Sequence, residues 1–197
     1  MTVYPDVKIN LGLNILRRRP DGYHDLETLF VPFRGMGDRI DIEESDRGSI
    51  EVIGGDWDPE TDLSWRACRL LSGEFGLSPV RIVLHKAAPV GAGLGSGSAD
   101  AAFTLKALNE MFSLGLDEAA LASRAAMLGS DCPFFIYDRP MFGEGRGEKL
   151  TPCELDLSSF EIRVEVPAEV KVSTREAYSG LDLGRAGERK PLREVLS

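Results

Sequence analysis

Residues Pro89 to Asp100, PVGAGLGSGSAD, constrain this chain more than any other stretch. Gly91, Gly93, Gly95 and Gly97 place four glycines within seven residues. The apolar-alternating segment Val80 to Lys86 leads in, and a helix-like segment, Ala99 to Phe112, leads out. Glycine tolerates positive φ and lets a backbone come close to a ligand. A glycine loop that feeds a helix start aims several backbone N–H groups at one point, beside the positive end of the helix dipole. The stretch therefore reads as a phosphate cradle, set against the plainer reading of a flexible surface loop. A P-loop is excluded, because it needs Lys then Ser or Thr after its last glycine and the chain has no Gly-Lys pair. The dinucleotide fingerprint G-x-G-x-x-G fails in both frames. Read from Gly91 it puts Ser96 at the third glycine, and read from Gly93 it puts Ser98 there.

The opening strand carries the next signal. Val7, Ile9, Leu11, Leu13 and Ile15 alternate with Lys8, Asn10, Gly12 and Asn14, a period-2 pattern with one buried face. Lys8 and Asn10 then share the opposite face. Two readings stand for that face, a lined cleft and a solvated surface, and the pattern alone favours the solvated one. Pro20-Asp21-Gly22 is turn chemistry, followed directly by Tyr23 and His24. An aromatic beside a histidine on a loop either anchors the loop or stacks on and hydrogen-bonds a planar base.

Further strands are expected over Leu29–Phe33, Arg39–Glu43 and Ser49–Ile53, with Gly35 to Asp38 as a turn. Asp62 is placed to cap a helix that Gly76 ends, and Asp117 to cap another that Gly129 closes. In the helix after the glycine loop, Ser98 is expected as N-cap, with a second possible role on phosphate or Mg²⁺. Asp100 is expected in its first turn, where the dipole favours negative charge. Asp131, between a helix-ending Gly129 and Pro133, sits at a backbone corner. It is either an Asx turn-maker or a base, and the corner alone favours the turn-maker. Phe142 to Glu148 reads as a glycine-punctuated hairpin, Glu161 to Val166 as a strand, and Thr174 to Leu181 as a short helix.

Composition limits partners and compartment. The 197 residues carry 32 acidic against 23 basic side chains, a net charge of −9. That balance argues against nucleic acid as a partner. Cys68, Cys132 and Cys153 form no C-x-x-C pair, which suits a reducing compartment. With no apolar run near the ~18 residues of a membrane helix and no signal-peptide pattern, a cytoplasmic protein without a membrane partner is expected. The residues carry no reading of oligomeric state.

Four motifs taken together resemble the GHMP small-molecule kinases. They are Lys8-Ile9-Asn10-Leu11, Arg19 to His24, Pro89 to Ala102, and Gly129-Ser130-Asp131-Cys132-Pro133, in the order of that superfamily and spread over nearly the whole chain. Asp21-Gly22-Tyr23-His24 narrows the resemblance to the subgroup acting on a cytidyl-diphosphate sugar-alcohol in non-mevalonate isoprenoid biosynthesis. The resemblance implies an α+β GHMP kinase fold. Residues 1–152 would form an N-terminal ribosomal-protein-S5-like two-layer domain that binds ATP and substrate. Residues 153–197 would begin a C-terminal ferredoxin-like domain. It implies transfer of the γ-phosphoryl of ATP to the 2-hydroxyl of the small-molecule acceptor, with Mg²⁺ bridging the phosphates and no metal site built from protein residues alone.

The family pattern assigns Asp131 as the base and Lys8 as its partner. It assigns Asn10, Tyr23, His24, Thr174 and Tyr178 to the acceptor. It assigns Lys86, Pro89, Val90, Gly91, Ala92, Gly93, Leu94, Gly95, Ser96, Gly97 and Ser98 to the nucleotide. Three departures accompany it. Ser96 replaces the subgroup's usual Gly, and Asp62 stands where an Asn often approaches adenine. The third GHMP motif, a late glycine-rich loop, has no counterpart, so a C-terminally short chain is expected, either a fragment or an atypical short member. Two alternatives follow: another GHMP kinase, acting on homoserine, mevalonate or a sugar, or a nucleotide-binding remnant without catalysis.

Overall fold

The structure, a computed structural model, describes residues 1–167, Ala177, Gly180 and residues 190–195. Two four-stranded sheets share one helical layer. The first sheet has the order β1 (Thr2–Val3), β4 (Arg39–Glu44), β6 (Val80–His85), β5 (Ser49–Ile53). Its β5 and β6 run parallel because α1 (Leu63–Phe75) returns the chain between them; its other pairs are antiparallel. The second sheet, antiparallel throughout, has the order β2 (Asp6–Arg18), β3 (His24–Gly37), β7 (Met141–Gly145), β8 (Lys149–Pro152). The remaining helices are α2 (Ser96–Met111), α3 (Glu118–Ala126), α4 (Cys132–Tyr137) and the short α5 (Leu192–Val195).

Local signals set the helix ends. The Asp62 carboxylate accepts the Ser64 amide at 2.8 Å, and Gly76 at φ 64° ends α1. Asp117 caps α3 through Ala120, but α3 stops at Met127 rather than Gly129. Ile40, Ile42, Val80, Ile82 and Leu84 of the first sheet bury against Ala67 and Leu71 of α1 and Ala99, Ala102, Leu105 and Leu108 of α2. The small alanines let α2 lie close to the sheet. Phe30, Phe134, Phe135 and Met141 join the same core from the second sheet and α4.

Three strand expectations change. The alternation of β2 breaks at Gly12, where a bulge with φ 73° shifts the register between Leu11 and Leu13. Leu13, next after the bulge, is exposed while Val7 stays buried. The expected turn at Gly35–Asp38 shrinks to Asp38, because pairing with β2 carries β3 on to Gly37. Glu161 to Val166 forms no strand: it alternates in sequence but has no neighbouring strand to pair with among the described residues. The helix expected over Thr174 to Leu181 lies outside the described residues, apart from Ala177 and Gly180.

Candidate active site

The glycine loop joins β6 to α2. Gly91, Gly93 and Gly95 all hold φ near 75°, at 74°, 75° and 74°. Gly95 also has no space for a side chain, since a Cβ there would lie 3.0 Å from the Phe135 ring and 3.3 Å from Cε of Lys8. Leu94 is the loop's apolar anchor, buried with Val7 and Ala88. Gly95 is the N-cap of α2 and offers no side-chain cap, so the helix begins at Ser96. Ser98 is therefore inside the first turn and is not the N-cap. The first-turn N–H groups of α2 have no side-chain acceptor, which is the donor set an anion takes at a helix start. The cradle fits a polyphosphate.

Lys8 links this loop to the Asp131 corner. Its backbone N–H donates to the Leu94 carbonyl at 2.9 Å. Its ammonium donates to Asn10 Oδ1 at 2.7 Å and lies 3.6 Å from Asp131 Oδ2. The Phe30 ring closes another side, 5.1 Å from the ammonium to the centroid. Lys8 is only 6% exposed, so the face read as solvated is buried at Lys8, while Val7 of the opposite face is buried as well. Burial holds the Lys8 ammonium below the ordinary lysine range, and the Asp131 charge offsets only part of that.

Asp131 is not a turn-maker. It is the N-cap of α4 but accepts no capping hydrogen bond, with φ −87° and ψ −17°. Its carboxylate faces Lys8 and remains about a third exposed, at 31%. Next to it lies the Cys132 thiol, which burial pushes up to about 11, leaving it protonated and inert.

Lys86, assigned to the nucleotide by resemblance, precedes the glycine loop. Its ammonium turns inward and bonds Asp38 at 2.5 Å, Asp100 at 2.6 Å and Ser96 Oγ at 3.3 Å. All three donors are engaged, so any nucleotide contact falls to the Lys86 backbone. Asp100 is fully buried in α2 rather than being a first-turn charge on the helix dipole. Burial pushes Asp100 up to about 8 against the pull of Lys86, and its Oδ1 has no partner among the described residues. Asp38, read in sequence as a turn residue, accepts the amides of Ala87 and Ala88 at 2.7 and 2.9 Å and so pins the start of the glycine loop. Asp62 spends one oxygen on the α1 cap and the other on the Trp57 indole at 3.1 Å.

The acceptor side is built on two hairpin ends. Tyr23 ends the β2–β3 turn, 57% exposed, with its amide on Asp21 at 3.1 Å and its carbonyl taking the Arg19 amide. His24 opens β3 beside it. Arg146, in the β7–β8 turn, lies over the Tyr23 ring at 4.8 Å. The next residue, Gly147 at φ 103°, sits against Asp131, whose Oδ1 is 4.0 Å from the position a Cβ would take. Arg146 and Phe30 were not legible as site residues. The only signal for Arg146 was its place between two glycines. Thr174 and Tyr178 lie outside the described residues.

A glycine cradle on a helix start, facing a lysine–aspartate pair across two sheets, is the arrangement of a GHMP kinase. Residues 62–139 match the family described as GHMP kinases N terminal domain. The 4-diphosphocytidyl-2-C-methyl-D-erythritol kinase of Bacteroides fragilis is 47% identical over 188 residues, covering 91% of this chain and 67% of the relative. The enzyme of the same name from Cytophaga hutchinsonii is 39% identical over 202 residues, covering 100% and 72%. A crystal structure of 4-(cytidine 5'-diphospho)-2C-methyl-D-erythritol kinase superposes with a TM-score of 0.69 at 39% identity, covering 79% of this chain and 56% of the other. The chain belongs to the 4-diphosphocytidyl-2-C-methyl-D-erythritol kinase family and has its α+β GHMP kinase fold. It spans about two thirds of the length of these curated relatives, 67% and 72%.

Proposed function

We propose that the protein is an ATP-dependent kinase that phosphorylates the 2-hydroxyl of 4-diphosphocytidyl-2-C-methyl-D-erythritol in non-mevalonate isoprenoid biosynthesis. The observation that carries this is the double role of Lys8, whose backbone holds the glycine loop while its ammonium faces Asp131. One residue thus ties the donor cradle to the base. Phosphoryl transfer asks mainly for in-line positioning and charge neutralisation. Asp131 takes the proton of the acceptor hydroxyl, and its exposed edge is open to that hydroxyl. Lys8 orients the carboxylate and stabilises the developing alkoxide. Tyr23 stacks on cytosine, His24 bonds its edge, and Asn10 lines the acceptor side, to which resemblance alone adds Thr174 and Tyr178.

The stretch Pro89 to Ser98 takes the ATP phosphates on backbone N–H groups that begin at Val90, since Pro89 has none. Among the described residues no cluster of three acidic, His or Cys side chains could hold a metal ion. The Ser98 hydroxyl is the protein group that would contact Mg²⁺ carried on the ATP phosphates. Bound there, the ion would supply charge neutralisation. In this reading residues 1–152 form the domain that binds both substrates and residues 153–197 begin the second. No described helix is long and apolar enough to cross a membrane. The acidic charge supports reading the protein as a cytoplasmic enzyme with a small-molecule acceptor, and with neither nucleic acid nor membrane as partner.

The test is ADP release with ATP alone, with the cytidyl diphosphate acceptor, and with homoserine or mevalonate. Stimulation by the cytidyl compound only is the expected result. Equal stimulation by an acceptor without a base would assign the site to another GHMP reaction.

A further inference from the structure

A single chain of hydrogen bonds runs beneath the Lys8 ammonium. The fully buried Thr28 of β3 donates its hydroxyl proton to the Gly12 carbonyl at 2.7 Å. The Asn10 amide nitrogen donates to the same Thr28 oxygen at 2.7 Å. Asn10 Oδ1 in turn accepts from Lys8 at 2.7 Å. The order of these bonds follows from the donor inventory. A carbonyl only accepts, so the Thr28 proton is committed to Gly12, and Thr28 is left to accept. A side-chain amide has a donor end and an acceptor end, so Asn10 must turn its nitrogen to Thr28 and its oxygen to Lys8. The Gly12 bulge makes the carbonyl available, because the register shift removes Gly12 from the ladder with β3.

We propose that Thr28 is a positioning residue for Lys8, acting through Asn10. The hydroxyl sets the polarity of the Asn10 amide and so supplies Lys8 with a neutral acceptor. That acceptor keeps the ammonium charged and facing Asp131 without a second carboxylate. The other groups around Lys8 are the Asp131 carboxylate from the start of α4, the Phe30 ring from β3 and Gly95 of the loop. Among the described residues Asp131 is the one charged side chain shown against it, so loss of the Asn10 oxygen leaves Lys8 there with a single, 3.6 Å partner. The consequence for turnover rests on the kinase reading above; the wiring of Lys8 does not.

The test compares Thr28→Val, which keeps the shape and removes the hydroxyl, with Thr28→Ser, which restores it. Thr28→Ala is the second hydroxyl-free variant should valine disturb folding. The expected result for a hydroxyl-free variant is a kcat lower by about 10-fold, with KM for ATP within about twofold of the parent. The serine variant should recover most of it. Independently of turnover, titration of ¹³Cε-labelled lysine by NMR should show the Lys8 midpoint falling by about one unit without the hydroxyl, since a hydrogen bond to a charged group is worth about that much. A folded hydroxyl-free variant with the parent's Lys8 midpoint overturns the proposal. A parent that shows this midpoint shift but no turnover with the cytidyl acceptor overturns the kinase reading instead.

Discussion

The Lys8 and Lys86 side chains are both almost wholly buried, one bonded to the glycine loop through its backbone and one just ahead of the loop in sequence, and they are wired in opposite ways. Lys86 meets two carboxylates, at 2.5 and 2.6 Å, and both partners are themselves buried. Burial alone would pull its ammonium down, but Asp100 and Asp38 outweigh that and hold it above the ordinary lysine range. Lys8 meets one carboxylate at 3.6 Å, and that carboxylate is partly open to solvent. Its ammonium stays below the ordinary range. A saturated buried charge is a strut: it joins the strand end, the Asp38 turn and the second turn of α2, and it has nothing left to offer a ligand. An under-paired buried charge beside an accessible base can respond to charge that develops during a reaction.

The contrast is broken most directly by removing each lysine. Lys86→Met strips the cation from the buried Asp38 carboxylate and from the buried Asp100 carboxyl group, and is expected to cost about 3–5 kcal/mol of stability. Lys8→Met should cost less than about 1 kcal/mol, because Asp131 can rely on water, while turnover is lost. Urea denaturation with equal losses for the two variants would erase the distinction. Next in size is Asp131→Asn, expected to lower kcat by at least about 10²-fold. Steady-state ADP release at saturating substrates measures it, and turnover near the parent's would remove Asp131 from the chemistry.

Tyr23→Ala moves the question to the acceptor side. Loss of a base stack is worth about 1–3 kcal/mol, so KM for the cytidyl acceptor should rise about 10-fold with KM for ATP unchanged. Parallel rises in both constants would count against cytosine stacking. The smallest effect concerns the strut. Asp100 is raised from an ordinary carboxylate value to about 8, so the folded state holds its proton more tightly than the unfolded chain does. Its contribution is complete below the unfolded pKa of about 4 and is lost as pH rises through about 8. Asp100→Asn lacks that loss. Between pH 5 and 8.5 its melting temperature should gain on the parent's by about 2–4 °C for each kcal/mol involved. A constant gap across that range would mean Asp100 stays ionised throughout.

Much of the frame was legible before any coordinates. The glycine loop, the Asp62 and Gly76 ends of α1, the Asp117 cap and the Pro20-Asp21-Gly22 turn are local events. Each depends on residues a few positions apart, and each occurs as its sequence implies. The limits of local reading are equally specific. Ser98 reads as a cap, but Gly95 in a left-handed conformation starts the helix earlier. Asp131 reads as an Asx turn, but Lys8 claims its carboxylate across 123 positions of chain. Arg146 reads as part of an exposed hairpin until β7 pairs with β3 and carries it over Tyr23.

By itself, then, the sequence determined the glycine loop between a strand and a helix, the two ends of α1, the cap of α3, and which residues are candidates for chemistry. Short-range backbone rules suffice for these, because φ preferences and caps act within a turn. Only the tertiary structure decided which lysine is the strut and which faces the base. Burial, and the number of charges that meet a buried ammonium, depend on Asp38, Asp100 and Asp131 arriving from separate elements. No spacing along the chain encodes that count.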